Sequence, residues 1–294
     1  MTSAKLRLRT PAKINPVLEV LRQREDGFHE LSLVFQAVTL YDELTLEKSS
    51  AGVEFWMEQP FPGLEPDDSN LVVKAAKLFL NEILDNRGGV RVGLGKKIPL
   101  AAGLGGGSSD AAAVLLGMEA LYQTGCSLDK LKGLAAKLGS DVAFFLKGGT
   151  ALGSGRGEII QPWPPGPVWH LVLVKPPEGL STPSVYRSGK AVFSDGKRAL
   201  AFQDAAKKGT PREIAGALFN GLEPAAIHLL PRISEIKNEL TKNGCLGAMV
   251  SGSGPTVFGV AENAQAAQAL TGRFNRPGWT ALAVETLSNG VEFL

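Results

Sequence analysis

PLAAGLGGGSSDAA, Pro99 to Ala112, sets a glycine cluster directly in front of two serines and an alanine-rich segment. Gly103, Gly105, Gly106 and Gly107 admit positive φ and let main-chain N–H groups come close to an anion. The run after Asp110, AAAVLLGMEALY, has helical rather than strand character. A helix starting near Ser108 or Ser109 would aim its free N–H groups and the positive end of its dipole at that anion. The two serines could cap the helix or touch phosphate and a metal ion. The plainer alternative is a glycine-rich loop that only ends a strand. The coincidence of several glycines, two serines and a helix start favours a phosphate cradle. No GxxxxGK followed by Ser or Thr occurs, and the cluster is not GxGxxG, so neither the common P-loop nor a dinucleotide turn is indicated. The loop holds no lysine of its own. Phosphate charge must therefore be met from elsewhere, by bound Mg2+ and a basic residue of another segment.

Working outward, 294 residues allow two domains of ordinary size. A hydrophobic fraction of 44% beside 20% charged residues fits a soluble globular protein, and a net charge of +2 gives no footprint for nucleic acid. Cys126 and Cys245 lie far apart without a CxxC or a nearby histidine, which argues against a disulfide framework or a zinc site and for core or half-buried thiols. The longest apolar runs are too short to span a bilayer, and MTSAKLRLRT lacks an apolar export segment. A cytoplasmic protein without membrane partners is expected, as a monomer or homodimer.

The amino-terminal part reads as strands first: KLRLRT alternates in period two, AKINPVLEVL and ELSLVFQAVTLYDELTLE are rich in strand formers, and VRVGLGKKI leads into the glycine loop. Helices follow, SNLVVKAAKLFLNEIL after a cap at Ser69 and SLDKLKGLAAKLG after Ser127. This is an α+β pattern. QPWPPGPVWH, with four prolines and a glycine in ten residues, cannot continue a helix or a central strand, and places a boundary between domains 1–162 and 163–294. Beyond it HLVLVK and AMVSGSGPTVFGVA read as strands, and PREIAGALFNGLE and LPRISEIKNELTKNG as helices on one face of a sheet.

Four further segments offer chemistry. Lys13 in PAKIN, at the entry to a strand, could pair with a phosphate or carboxylate or be a solvated strand lysine. Asp141 in LGSDVAFFLKGG stands at a helix start, where it is an N-cap, a catalytic carboxylate, or both. In REDGFHEL the Asp26-Gly27 turn presents Phe28 and His29, which either hold a flat heterocycle or pack in the core and at the surface. SGSGPTVFGV is a second glycine-serine turn, binding through its N–H groups or simply joining a helix to a strand.

In this order PAKIN, PLAAGLGGGSSDAA and SGSGPTVFG resemble the three motifs of the GHMP kinase superfamily, over Pro11 to Gly259. The resemblance implies an amino-terminal domain like ribosomal protein S5, a carboxy-terminal ferredoxin-like domain, and an active site between them that uses ATP and Mg2+. DGFHE, SNLVVKAA, GSDVAFFLKGGTALGSGRGE and LSTPSVYR resemble the branch that acts on a cytidyl diphosphate ester of methylerythritol in non-mevalonate isoprenoid synthesis. That likeness implies transfer of the γ-phosphate to the 2-hydroxyl of the methylerythritol moiety. By position it implies catalytic roles for Lys13 and Asp141. Asn15, Phe28, His29, Arg156 and Tyr186 fall on positions at the cytidine end, Phe28 and Tyr186 sandwiching the cytosine and His29 reading its edge. Asn70 falls at the adenine, and Pro99, Gly103, Leu104, Gly105, Gly106, Gly107, Ser108 and Ser109 fall on the triphosphate loop; no residue is assigned to the metal.

Phe28 stands where tyrosine is usual, Arg156 where lysine is also found, and Ala143 where proline is common. None of these removes the reacting groups. The rivals are another GHMP kinase acting on homoserine or mevalonate, a nucleotide-binding regulator without catalysis, and a nucleic-acid binder on an S5-like domain. A small aliphatic alcohol needs no stacking rings, a dead regulator need not keep Lys13 and Asp141, and the charge lacks a basic stripe.

Overall fold

The computed structural model describes residues 5–294. The start of MTSAKLRLRT, and with it part of the reading on export, lies outside the described residues. Two long strands, β1 (Lys5–Gln23) and β2 (His29–Ser49), pair antiparallel across a tight turn at Arg24 to Phe28. KLRLRT and AKINPVLEVL are thus one strand. Register shifts after Pro11, Ile14 and Val20 absorb the irregular residues without ending the ladder, and Pro11, which has no N–H to give, stands at the first.

With β3 (Gly52–Met57), β4 (Gly89–Gly95), β5 (Thr150–Gly155), β6 (Ile159–Pro162), β8 (Phe219–Asn220) and β12 (Glu292–Phe293) these strands make an eight-stranded mixed sheet. Helices α1 (Leu71–Leu84), α2 (Gly106–Tyr122), α3 (Leu128–Leu138) and α4 (Val142–Phe145) cover one face and bury Phe79, Val114, Leu134 and Phe144 on Leu46 and Val92. Ser127 caps α3 as its sequence predicts, accepting from the Lys130 N–H. The cap of α1 is Asn70 rather than Ser69, because Asn70 brings its Oδ1 to the Val72 N–H while the Ser69 hydroxyl turns back to Asp67.

A second, four-stranded antiparallel sheet runs in the order β11 (Thr280–Glu285), β7 (His170–Lys175), β10 (Val257–Ala261), β9 (Gly247–Val250). One face packs Leu171, Phe258 and Val260 on Ile14 and Val34 of the first sheet, with α6 (Arg198–Lys208) and α7 (Pro211–Gly216) alongside through Phe202 and Ile214. The other face carries α8 (Glu223–Leu229), α9 (Arg232–Lys242) and α10 (Ala264–Thr271). The result is α+β. PREIAGALFNGLE is not one helix: Phe219 and Asn220 leave it to pair in parallel with Val17 and Leu18, a long-range bond that helical periodicity cannot foresee.

One gap in this pairing places the site. The outer edge of β1 meets β12 at Leu8 and Arg9 and β8 at Val17 and Leu18. Between those two short partners the PAKIN segment carries no strand on that side among the described residues. The glycine loop fills the gap: the Lys13 N–H donates to the Leu104 carbonyl at 2.9 Å and the Ser109 hydroxyl to the Pro11 carbonyl at 2.6 Å.

Candidate active site

Helix α2 begins at Gly106, earlier than Ser108, because Gly105 takes the left-handed conformation at φ 71° and ends the loop there. No side chain caps the helix, so its first N–H groups stay available to a ligand. Ser109 is fully buried against β1, bonded to the Thr10 hydroxyl as well as to Pro11, while Ser108 lines the cleft. The glycines divide in the same way. A methyl at Gly103 would collide with the Ser251 carbonyl oxygen, and one would meet the Phe145 ring at 2.9 Å at Gly105 and the Ile98 side chain at 2.8 Å at Gly106. At Gly107 the nearest atom is Leu71 Cδ1 at 3.5 Å. Packing demands the first three glycines, whereas at the fourth, which lines the cleft, a methyl would fit in ordinary contact with Leu71.

Lys13 stands in mid-strand, not at its entry, and its side chain is only 5% exposed. Its ammonium donates to Asn15 Oδ1 at 2.7 Å and pairs with the Asp141 carboxylate at 3.5 Å. Asn15 is itself fixed by donating to the Val34 carbonyl. Two of the three ammonium protons are then directed, leaving one for a further anion. Asp141 is the N-cap of α4 by position, yet its carboxylate accepts nothing from that helix and remains one-third exposed to the cleft. SGSGPT joins two strands, β9 and β10, rather than a helix to a strand. It locks onto the cradle through Ser251 Oγ donating to Gly103 O at 2.9 Å and Thr256 N–H to Ala102 O at 3.3 Å.

At the far end of the cleft Phe28 is 53% exposed, which excludes the core alternative. The Arg156 guanidinium lies 4.7 Å from the centre of its ring. His29 stacks on Tyr186 of α5 (Thr182–Arg187) with centroids 4.9 Å apart and planes at 28°, and Phe193 lies 6.2 Å from the imidazole on a tilted plane. Burial pushes the Tyr186 phenol up, and the negative charge of Asp141 adds to it, so the aromatic end and the carboxylate share one field. Thr182 and Ser253 join hydroxyls at 2.8 Å and tie α5 to the SGSG loop.

One cleft of about 1140 Å3 runs from Gly107 and Ser108 past Lys13 and Asp141 to His29 and Tyr186. Asn15 belongs with Lys13 at its centre. Asn70 sits at the head of α1 with both polar atoms engaged, beside Leu71, which lines the cleft. Phe193 escaped the sequence reading, since an aromatic in the irregular stretch KAVFSD carries no periodic signal. Among the described residues no group of three His, Cys, Asp or Glu side chains could hold a metal, and no helix is long and apolar enough to cross a membrane. Both cysteines are free, Cys126 half-buried and Cys245 buried.

Residues 70–149 match the model of the GHMP kinase N-terminal domain and residues 202–278 that of the GHMP kinase C-terminal domain. The chain is 44% identical over 283 residues to the 4-diphosphocytidyl-2-C-methyl-D-erythritol kinase of Pelotomaculum thermopropionicum, covering 94% of this chain and 96% of that one. It is 42% identical over 266 residues to the same-named kinase of Shouchella clausii, covering 88% and 86%. A crystal structure of 4-(cytidine 5'-diphospho)-2C-methyl-D-erythritol kinase superposes with a TM-score of 0.81 at 36% identity, over 95% of this chain and 98% of the other. A homoserine kinase from Cytophaga hutchinsonii, at 20% identity and a TM-score of 0.77 over 100% and 98%, shares the fold. This chain belongs to the GHMP kinases, and within them to the family of 4-diphosphocytidyl-2-C-methyl-D-erythritol kinases.

Proposed function

We propose that this protein transfers the γ-phosphate of ATP to the 2-hydroxyl of 4-diphosphocytidyl-2-C-methyl-D-erythritol, a step of non-mevalonate isoprenoid synthesis. One observation carries the reading: the Lys13–Asp141 pair at 3.5 Å stands in a single cleft between a helix start with bare glycine backbone and a cluster of aromatic rings. Phosphoryl transfer asks the protein for alignment and charge stabilisation more than for covalent chemistry. Asp141 receives the substrate hydroxyl as a hydrogen-bond donor and draws its proton away as that oxygen bonds to the γ-phosphorus and the bond from phosphorus to the bridging oxygen breaks, releasing ADP. Lys13, held by Asn15, pairs with Asp141 and turns its remaining N–H toward the transferring phosphoryl oxygens.

The first turn of α2, from Gly105 to Ser108, takes the triphosphate, and Asn70 and Leu71 border the adenine. Phe28 and Tyr186 stack the cytosine, His29 reads its edge, and Arg156 serves the diphosphocytidyl end. The two carboxy-terminal returns, β8 and β12, clasp β1 from a second domain that we place at 163–294. The donor set fits Mg2+ as a phosphate-bound ion: with no acidic cage among the described residues, Ser108 is the hydroxyl that lines the cleft at the cradle, Ser109 being committed to β1. Bound there, Mg2+ would neutralise charge on the phosphate oxygens.

The test is ATP consumption with Mg2+ and the cytidyl substrate, beside methylerythritol phosphate, mevalonate and homoserine. Turnover confined to the cytidyl compound is expected. Turnover with another alcohol, or with none, overturns the assignment.

A further inference from the structure

Residues 188–197 link α5 to α6 as an irregular strap that runs along the edge of β1 beyond the two residues covered by β8. Gly221, directly after β8, donates its N–H to the Leu18 carbonyl at 2.8 Å and accepts from the Val192 N–H at 2.8 Å. The Ser194 N–H then reaches the Val20 carbonyl at 3.0 Å, which sets Phe193 in register with Val20. The opposite edge of β1 pairs with β2, Gln23 facing His29, and the Phe193 ring comes to 6.2 Å from that imidazole.

An irregular segment needs fixing from outside, and β1 supplies it from a buried charge. VLEVL, Val17 to Leu21, is an apolar strand with one acid in its middle. Strand alternation turns Glu19 with Val17 toward the second sheet, while Leu18 and Val20 face the helices of the first, and Glu19 is fully buried there. Its Oε1 accepts from the Gly196 N–H at 3.2 Å, and its Oε2 from the N–H groups of Arg198 and Ala199, both at 3.1 Å. Helix α6 thus takes its cap from a residue 179 positions away in the chain. Three donors on two oxygens oblige both oxygens to accept, which a carboxylate does and a carboxamide does not.

The strap is therefore pinned through its backbone while the Phe193 ring stays more than half exposed and lines the cleft. A ring held at a cleft wall by a fixed backbone offers a ligand area and a plane. We propose that Phe193 is a specificity-determining wall for the nucleoside of the cytidyl substrate, and that Glu19, which meets no ligand, is the residue that positions it. This rests on the cytidyl reading of the site. A small alcohol has no nucleoside and gains nothing from such a wall.

The test reads binding rather than turnover. Calorimetry follows the cytidyl substrate without ATP, and MgATP separately, on wild type, Phe193→Ala, Glu19→Gln and the double variant. Glu19→Gln keeps the size of the side chain and turns an NH2 group against backbone donors. Each single change should weaken the cytidyl substrate by at least about threefold and leave MgATP within about twofold. The double variant should bind no more weakly than the weaker single one, because Glu19 acts through the ring it places. Phe193→Tyr, which keeps the ring, should bind as wild type does. Gly221→Ala moves the strap by another route: its methyl would meet the Val192 carbonyl oxygen at 2.6 Å, while Leu222, not Gly221, lines the cleft. It should give the same selective loss, and it decides the matter if Glu19→Gln does not fold.

Unchanged binding in Phe193→Ala overturns the wall. Losses that add in the double variant, or that strike MgATP equally, overturn the positioning role and leave Glu19 a support of the fold at large. Wild type that binds MgATP but not the cytidyl substrate overturns the functional reading and the role of Phe193 together. Amide exchange at Gly196, Arg198 and Ala199, faster in Glu19→Gln than in wild type, then still decides whether Glu19 holds the strap.

Discussion

The two ends of the cleft are built in opposite ways. At the end we assign to phosphate the cleft wall is backbone, and buried side-chain contacts set its shape: Ser109 and Thr10 behind the helix start, Ser251 behind Gly103, and Lys96, paired with Asp42 and Asp110, below Gly106. At the aromatic end the working surface is side chains on a turn and on the six-residue α5, with Phe28 53% exposed and Phe193 54%. Stabilising charge that develops during phosphoryl transfer needs preorganised dipoles that do not relax, and packing supplies them. Recognition of a ring needs area and a plane, which exposed aromatics provide at small cost to the fold. The first end should therefore fail all at once and the second by degrees.

The largest break in that contrast lies where the ends meet. Asp141→Asn keeps the shape of the side chain and removes the charge, and kcat should fall by at least about a hundredfold while the unfolding temperature holds, since the carboxylate caps nothing in α4. Activity within a few-fold of wild type would remove Asp141 from the reaction. Next comes Phe28→Ala. Stacking is worth roughly 1–3 kcal/mol per base, so KM for the cytidyl substrate should rise about fivefold or more while KM for ATP stays put. Equal damage to both would mean that the two ends are one packed unit and that the comparison is wrong.

The same contrast explains what could be read from the sequence. Gly103 to Gly107 before an alanine-rich run give a loop and a helix by local rules, and the Ser127 cap and strand β7 follow just as locally. What escaped depends on partners distant in the chain. Gly105, not a serine, ends the loop because its neighbours are Phe145 and Lys13. Ser109 looks like a phosphate ligand until β1 claims its hydroxyl; the Lys13–Asn15 pair, by contrast, is local, two residues apart on one face of β1.

Within the cradle the contrast can be sharpened to neighbouring glycines. Gly107→Ala adds a methyl that meets nothing nearer than 3.5 Å, so the protein should fold with an unchanged unfolding temperature. The methyl would stand where bare backbone faces the ligand, and KM for ATP should rise about tenfold, the loss of roughly one hydrogen bond to a charged group. Gly103→Ala, at φ 74° and against the Ser251 carbonyl, should instead lower the unfolding temperature before any kinetic effect is seen. If the two variants behave alike, the division between packing glycines and a ligand-facing one is lost.

Asn70 gives the smallest and most discriminating effect, because it is both a helix cap and a residue we place at the adenine. Its Oδ1 caps α1 at the Val72 N–H and one amide proton goes to the Glu65 carbonyl, which leaves the second amide proton for a ligand. Asn70→Ala should cost about 1 kcal/mol of stability, and Asn70→Ser, which restores a capping oxygen, should recover most of it. Unfolding midpoints in urea measure both. If the amide also meets the nucleotide, KM for ATP should rise about threefold in both variants, the lower end of what one neutral hydrogen bond contributes. A KM that follows stability, raised in the alanine variant and normal in the serine variant, would leave Asn70 a cap alone. The adenine would then be met by the surface that α1 presents at Leu71, and that part of the phosphate end would be packed shape like the rest of it.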